Sequence, residues 1–145
     1  QLLDRFALSV YVAGEKDLDK RAEVIKRRLE YEDDPEEFIK KWEEEQQNEV
    51  HRIQRAMKLL PQVTTSNEIL RMAAQISITL GVDGHRADIV LIKTAETLAA
   101  VAGHTEVTKE DLREAAHLAL PHRMRRRPFE EQKLDWENVD KVIDA

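Results

Sequence analysis

The stretch Gly81-Val82-Asp83-Gly84-His85-Arg86-Ala87-Asp88 puts a histidine and an arginine at the start of a predicted helix, directly after a glycine. The helix macrodipole disfavours cations in a first turn, by about 0.3–1 kcal/mol each when exposed. Such a start either tolerates a small penalty or expects an anion, with Asp83 as the cap and Gly84 freeing the turn. Arg5 is a second candidate, set among Leu2, Leu3 and Phe6 just before a predicted strand. It is read either as a structural ion pair with Asp4 or another acid, or as a charge held out for a ligand. The run Arg123-Met124-Arg125-Arg126-Arg127 is the third. It could meet nucleic-acid phosphates, but a helix C-terminus neutralised by cations plus a partner-docking strip is the simpler reading.

Other chemistries are excluded or unsupported. No Gly-x-x-x-x-Gly-Lys-Ser/Thr loop occurs, since Gly14, Gly81, Gly84 and Gly103 all lie in other contexts. The five histidines, His51, His85, His104, His117 and His122, form no pair with metal-ligand spacing, and no metal site is expected. The 29 acidic residues fall almost entirely on solvated helix faces, so no acid–base pair stands out. No Ser/His/Asp set has a nucleophile turn. Absence of cysteine removes disulfides, thiolate zinc sites and thiol catalysis. A formal net charge of -6 argues against a generic nucleic-acid binder. No apolar run approaches the ~20 residues of a membrane span.

The elements that must position these residues read as helices. With 145 residues, 41% hydrophobic and 36% charged, and only four Gly and four Pro, the composition suits a charge-laced helical domain. Ala7–Val12 alternates weakly and is expected to form one strand, ended by Gly14 and belonging to a sheet upstream. Beginning at Gln1 inside an apparent element, the sequence is expected to be a fragment or processed piece. Asp17 or Asp19 should cap a helix to Glu32, with Leu18, Ala22, Ile25 and Leu29 on one face. Asp34, Pro35 and Glu37 open a long helix to Leu60, whose EEEQQNE turn (43–49) projects into solvent or lies on a polar partner. Pro61 stops it. A capping box at Thr65–Glu68 starts a helix to Leu80, with Ile69, Leu70, Met72, Ala73, Ile76 and Leu80 mostly inward. The helix from His85 ends at Gly103, and Arg86 should point away from the core. Thr108 caps the last core helix, with Leu112, Ala115, Ala116 and Leu120 inward. The face of Trp136, Val139 and Ile143 suggests a short helix that packs on the domain or binds a partner.

Four segments together resemble a specific family. Leu2-Leu3-Asp4-Arg5-Phe6, Gly81 through Val90, Ala119-Leu120-Pro121-His122-Arg123 and Arg125-Arg126-Arg127-Pro128-Phe129-Glu130 look like the C-terminal part of the AAA+ ATPase subunit of magnesium chelatase. The first is shared with related AAA+ ATPases; the others are more specific. The resemblance runs roughly from Leu2 to Glu130. It implies a mainly α fold: a helical-bundle AAA+ lid with one short strand left from an α/β ATPase core. Residues 1–14 would be the core remnant, 15–127 the lid and 128–145 a tail. Arg5 matches the arginine finger, acting in trans on the neighbouring subunit. Arg86 matches the sensor-2 arginine that reaches the ATP phosphates, with Gly84 and His85 beside it.

The implied parent is a ligase-class metal chelatase that works as a ring of identical subunits. It couples hydrolysis of ATP, with Mg²⁺, to insertion of Mg²⁺ into protoporphyrin IX in chlorophyll or bacteriochlorophyll synthesis. Its partners would be a bridging subunit with an integrin-like domain and a large porphyrin-binding subunit, in the cytoplasm or the plastid stroma. This stretch departs from the whole pattern by lacking the P-loop, the Walker B acid and sensor 1. It is therefore expected to be inactive alone and to hold no cofactor tightly. Two other readings stay open: the lid of a related AAA+ remodelling or chaperone ATPase, and a non-enzymatic helical interaction module.

Overall fold

Free amides at a helix start must find acceptors, and short polar side chains supply them along most of this chain. The computed structural model describes residues 5–82, 84–123 and 136–145. The chain divides into two units, one of Tyr11–Gln54 and one of Gln1–Val10 with Arg55–Ala145. Seven α-helices occur among the described residues. The mainly helical fold expected from composition is what forms.

In the first unit, α1 (Leu18–Asp33) starts where Asp17 accepts from the Lys20 amide at 2.9 Å. Its successor α2 (Pro35–Lys41) starts where Asp34 accepts from the Glu37 amide at 3.0 Å, with Pro35 in its first turn. The single long helix expected from Pro35 is broken at Trp42, whose ψ of 2° leaves the helical range, before α3 (Glu43–Leu59) begins. There the Trp42 ring lies 4.4 Å from the Arg27 guanidinium and 6.1 Å from the Phe38 ring. Phe38 meets Tyr31 edge-on at 5.7 Å, and Lys41 pairs with Glu30 at 3.0 Å. These contacts hold α1 through its C-terminal half. The face of Leu18, Ile25 and Leu29 is accordingly exposed, Leu18 at 80%, where burial was expected. Residues 43–49 are all exposed.

In the second unit a 3₁₀ turn, Leu60–Gln62, ends α3 at Pro61. The cap of α4 (Asn67–Thr79) is Ser66, one residue beyond the expected Thr65, accepting from the Ile69 amide at 3.3 Å. Thr65 is drawn elsewhere, donating its hydroxyl to Glu96 at 2.8 Å. Next come α5 (His85–Ala102), closed by Gly103 with φ +89°, and α6 (Lys109–Ala119). The short link between them folds α6 back along α5, and these two share the largest helix–helix interface. Ala95 and Ala99 of α5 and Ala115, Ala116 and Ala119 of α6 are all fully buried, with Leu91, Leu112 and Ile76. Leu70, grouped with the mostly inward residues of α4, is exposed.

The tail helix α7 (Trp136–Asp144) completes this core with Val139 and Ile143. Arg113 binds Asp140 and, at 2.7 Å, Asp144, while Trp136 stacks on His117 at 3.6 Å. Of the two roles open for this face, packing on the domain is the one realised.

The strand expected over Ala7–Val12 does not form. A strand needs a ladder partner, and among the described residues none lies beside it; the Ser9 amide instead donates to the Leu118 carbonyl at 2.9 Å. Among the described residues no helix is long and apolar enough to cross a membrane.

The start of α6 concentrates the buried polar chemistry of this unit. The Thr108 hydroxyl accepts from the Asp111 amide at 3.2 Å, and Asp111 accepts from the Thr108 amide and hydroxyl, each at 2.8 Å. His104 Nε2 lies 2.8 Å from the same carboxylate; an ionised carboxylate only accepts, so Nε2 carries the proton. Burial alone would raise the Asp111 pKa, but the bonds from His104 and Thr108 outweigh it and hold the carboxyl below its ordinary value. A carboxyl depressed by folding stabilises above its unfolded pKa and loses that contribution as pH falls through the folded value. Asp111→Asn should therefore cost about 1–3 kcal/mol in urea unfolding at neutral pH. The gap to wild type should narrow as pH drops below about 4. A pH-independent gap would rule out ionised Asp111 as the source.

Candidate functional site

At the head of α5 the chain makes two left-handed turns in quick succession. Gly81, with φ +63°, ends α4, its amide reaching the Ile78 carbonyl at 3.1 Å; Val82 then bonds the Ser77 carbonyl at 3.0 Å. Gly84 occupies the cap position of α5 with φ +82° and ψ 157°, a region essentially restricted to glycine. Asp83, expected as the cap, lies outside the described residues, and Gly84 has no side chain to offer. The α5 start thus carries no side-chain cap bond from its cap residue, whereas α1, α2, α4 and α6 each have one.

The first turn of α5 is open to solvent on its charged side. Arg86 is exposed, as its position on the helix predicts, and has no ion-pair partner among the described residues. His85, its side chain 98% exposed, lies 3.5 Å from Asp88. Asp88 suits the positive end of the dipole, and its second carboxylate oxygen is buried with no hydrogen-bond partner among the described residues. First-turn amides and an exposed guanidinium are chemistry that suits an anion.

Arg5 is exposed and also has no ion-pair partner among the described residues; Asp4, its suggested partner, lies outside them. The backbone that follows Arg5 is tied to the end of α6. The Arg123 guanidinium donates from Nη1 to the Ala7 carbonyl at 2.8 Å and from Nη2 to the Phe6 carbonyl at 2.8 Å. Nη1 also donates to the Ala119 carbonyl of α6 at 2.6 Å. His122 Nε2 carries a proton and donates it to the Phe6 carbonyl at 2.7 Å, since a carbonyl oxygen only accepts. Ala7 and Leu8 line a groove of about 270 Å³ with Val90, Lys93, Thr94 and Leu118. Val90 is one helical turn beyond Arg86.

One unit therefore carries both candidate arginines. Sequence reasoning read Arg123 as part of a helix-neutralising and docking strip. The first half is correct, because Arg123 does bind the α6 C-terminal carbonyl; its grip on Phe6 and Ala7 was missed. Residues separated by 116 positions leave no periodic signal, and the only hint was the Pro121-His122-Arg123 segment itself. The rest of the strip, residues 124–127, lies outside the described residues. Among the described residues no group of three or more His, Asp and Glu could hold a metal ion.

Comparison with known proteins agrees with this architecture. Residues 70–144 match the family described as AAA lid domain. The chain is 48% identical over 143 residues to a magnesium-chelatase subunit ChlI homolog of Methanocaldococcus jannaschii, covering 99% of this chain and 39% of that protein. It is 41% identical over 143 residues to the protein Rv2850c of Mycobacterium tuberculosis, 99% of this chain and 23% of that one. It is 42% identical over 130 residues to the magnesium-chelatase 38 kDa subunit of Chlorobaculum parvum, 90% of this chain and 38% of that subunit. The chain thus spans about two fifths or less of the length of these relatives.

The conformation at Gly84 gives a direct test of how the α5 start is built. A Cβ there would meet nothing within 4 Å, so the penalty for a side chain is purely conformational. Gly84→Ala should lower stability by about 1–3 kcal/mol. Gly14→Ala, where a Cβ also meets nothing and no positive φ is involved, should be near neutral in the same urea titration. Equal effects at both sites would refute the strained turn.

Proposed function

Because the chain belongs to the AAA lid domain family, we propose that it is the lid and adjoining arginine segment of a magnesium-chelatase-type AAA+ motor subunit. The observation that carries this reading is the α5 start, where a glycine-only turn puts no side chain at the cap position and Arg86 is exposed with no ion-pair partner among the described residues. Similarity to named magnesium-chelatase subunits over 90–99% of the chain supports it.

In this reading the ATPase core ends within residues 1–14 and the lid follows. Arg86 acts as sensor 2, drawing its guanidinium and the first-turn amides of α5 toward the ATP phosphates, with Gly84 and His85 beside them. The nucleotide supplies the anion that offsets the unfavourable dipole term. Arg5 acts as the arginine finger of the neighbouring site in a ring of identical subunits. A cation delivered there stabilises charge that develops on the phosphoryl oxygens during transfer. The remainder of the subunit provides the phosphate loop and the acid that holds Mg²⁺, so this stretch alone does not hydrolyse ATP. The ring drives Mg²⁺ into protoporphyrin IX on the large porphyrin-binding subunit, through the integrin-like bridging subunit. The compartment is the cytoplasm or the plastid stroma.

In rings of the full-length subunit, Arg5→Ala should lower the ATPase kcat by about 10³-fold or more while leaving nucleotide affinity nearly unchanged. Mixing it with subunits whose phosphate-loop lysine is replaced should restore activity, since the lysine variant supplies an intact finger. Arg86→Ala should instead weaken the response to nucleotide within its own subunit and gain nothing from mixing. Full ATPase activity in Arg5→Ala rings would sink the assignment.

A further inference from the structure

We propose that Arg123, assisted by His122, is a positioning residue for Arg5, clamping the backbone beside it to the end of α6. The proposal rests on the reading of Arg5 as a trans-acting cation.

Residues 6–17 form neither helix nor strand, so no ladder of backbone bonds orders the described chain that follows Arg5. What holds it is a small set of bonds from one place. Arg123 grips the carbonyls of Phe6 and Ala7, each at 2.8 Å, His122 adds a second donor to Phe6 at 2.7 Å, and the Ser9 amide reaches Leu118 at 2.9 Å. Neutralising the end of α6 requires only the bond to the Ala119 carbonyl. The donors to Phe6 and Ala7 are additional, and they fix the Phe6–Ala7 and Ala7–Leu8 peptide planes, which begin one residue after Arg5.

The chemistry suits arginine in particular. A guanidinium presents its donors in a planar fork and can serve two successive carbonyls together with a helix end, whereas an ammonium is a single point charge. Because α6 packs along α5, the clamp ties the backbone after Arg5 into the same compact unit as Arg86. A movement of the lid that follows nucleotide at one end would carry the finger at the other.

The test uses full-length rings. Arg123→Met keeps the aliphatic stem and removes every donor. It should lower the ATPase kcat by about 10- to 100-fold, the scale of a misplaced catalytic group, with KM for ATP within about twofold of wild type. Arg123→Lys should recover part of the loss. Mixing Arg123→Met with subunits lacking the phosphate-loop lysine should restore activity, as mixing does for Arg5→Ala, because the damaged finger is replaced by an intact one. If Arg123→Met does not assemble, His122→Phe keeps the ring and removes one bond, and the same pattern should appear with a smaller loss. An unchanged kcat overturns the proposal. So does a loss that mixing fails to repair while Arg5→Ala is repaired. If Arg5→Ala itself is not repaired, the reading of Arg5 falls and the clamp falls with it.

Discussion

The alanine-lined seam between α5 and α6 is the constraint from which the rest of the second unit follows. Ala95, Ala99, Ala115, Ala116 and Ala119 are fully buried, and side chains this small let two helices lie close together over most of the length of α6. Interiors packed at crystal density tolerate neither voids nor extra methylenes cheaply, so the register of the two helices is set by the seam. That register decides where the exposed ends lie. It carries Arg86 at the start of α5 and the Leu118-to-Arg123 turn at the end of α6, and the Phe6–Ser9 backbone takes its place from the latter.

Charge at helix ends is managed in two opposite ways. Asp17, Asp34, Ser66 and Thr108 close the starts of α1, α2, α4 and α6, each accepting from an amide that would otherwise be unpaired. Arg123 closes the end of α6 from the other side, as a cation on a C-terminal carbonyl. The α5 start departs from this pattern, with a glycine at the cap and a cation in the first turn. In the proposed function that departure is the binding feature: amides already satisfied by a cap side chain would have less to offer a phosphate.

The tail is structural in this domain. Arg113 reaches Asp140 and Asp144, Trp136 stacks on His117, and Val139 and Ile143 fill the core beside α4 and α6. A polar strap and an aromatic contact thus flank two fully buried aliphatic side chains. Burial of this kind is worth about 1.5–3 kcal/mol per side chain, against about 0–1 kcal/mol for an exposed ion pair. The aliphatic pair therefore dominates, and the charges set the register.

Much of this was legible because it is local. Caps act within three or four residues, so Asp17, Asp34, Thr108 and Gly103 marked their helix ends directly, and the period of Leu112, Ala115, Ala116 and Leu120 marked the face of α6. The strand over Ala7–Val12 was misread since strand formation depends on a partner that the local pattern does not contain. The break at Trp42 was misread too, for its ring sits against Arg27 of a different helix. Leu18, Ile25 and Leu29 have helical spacing, but spacing says which residues share a face and not whether another element covers it. The sequence by itself determined the helical class, most helix boundaries and the anomalous charge at Arg86, all consequences of bonds between near neighbours. Only the tertiary structure decided that Arg123 and His122 hold the backbone beside Arg5 and that the tail closes the core, because those contacts join residues more than 100 and more than 20 positions apart.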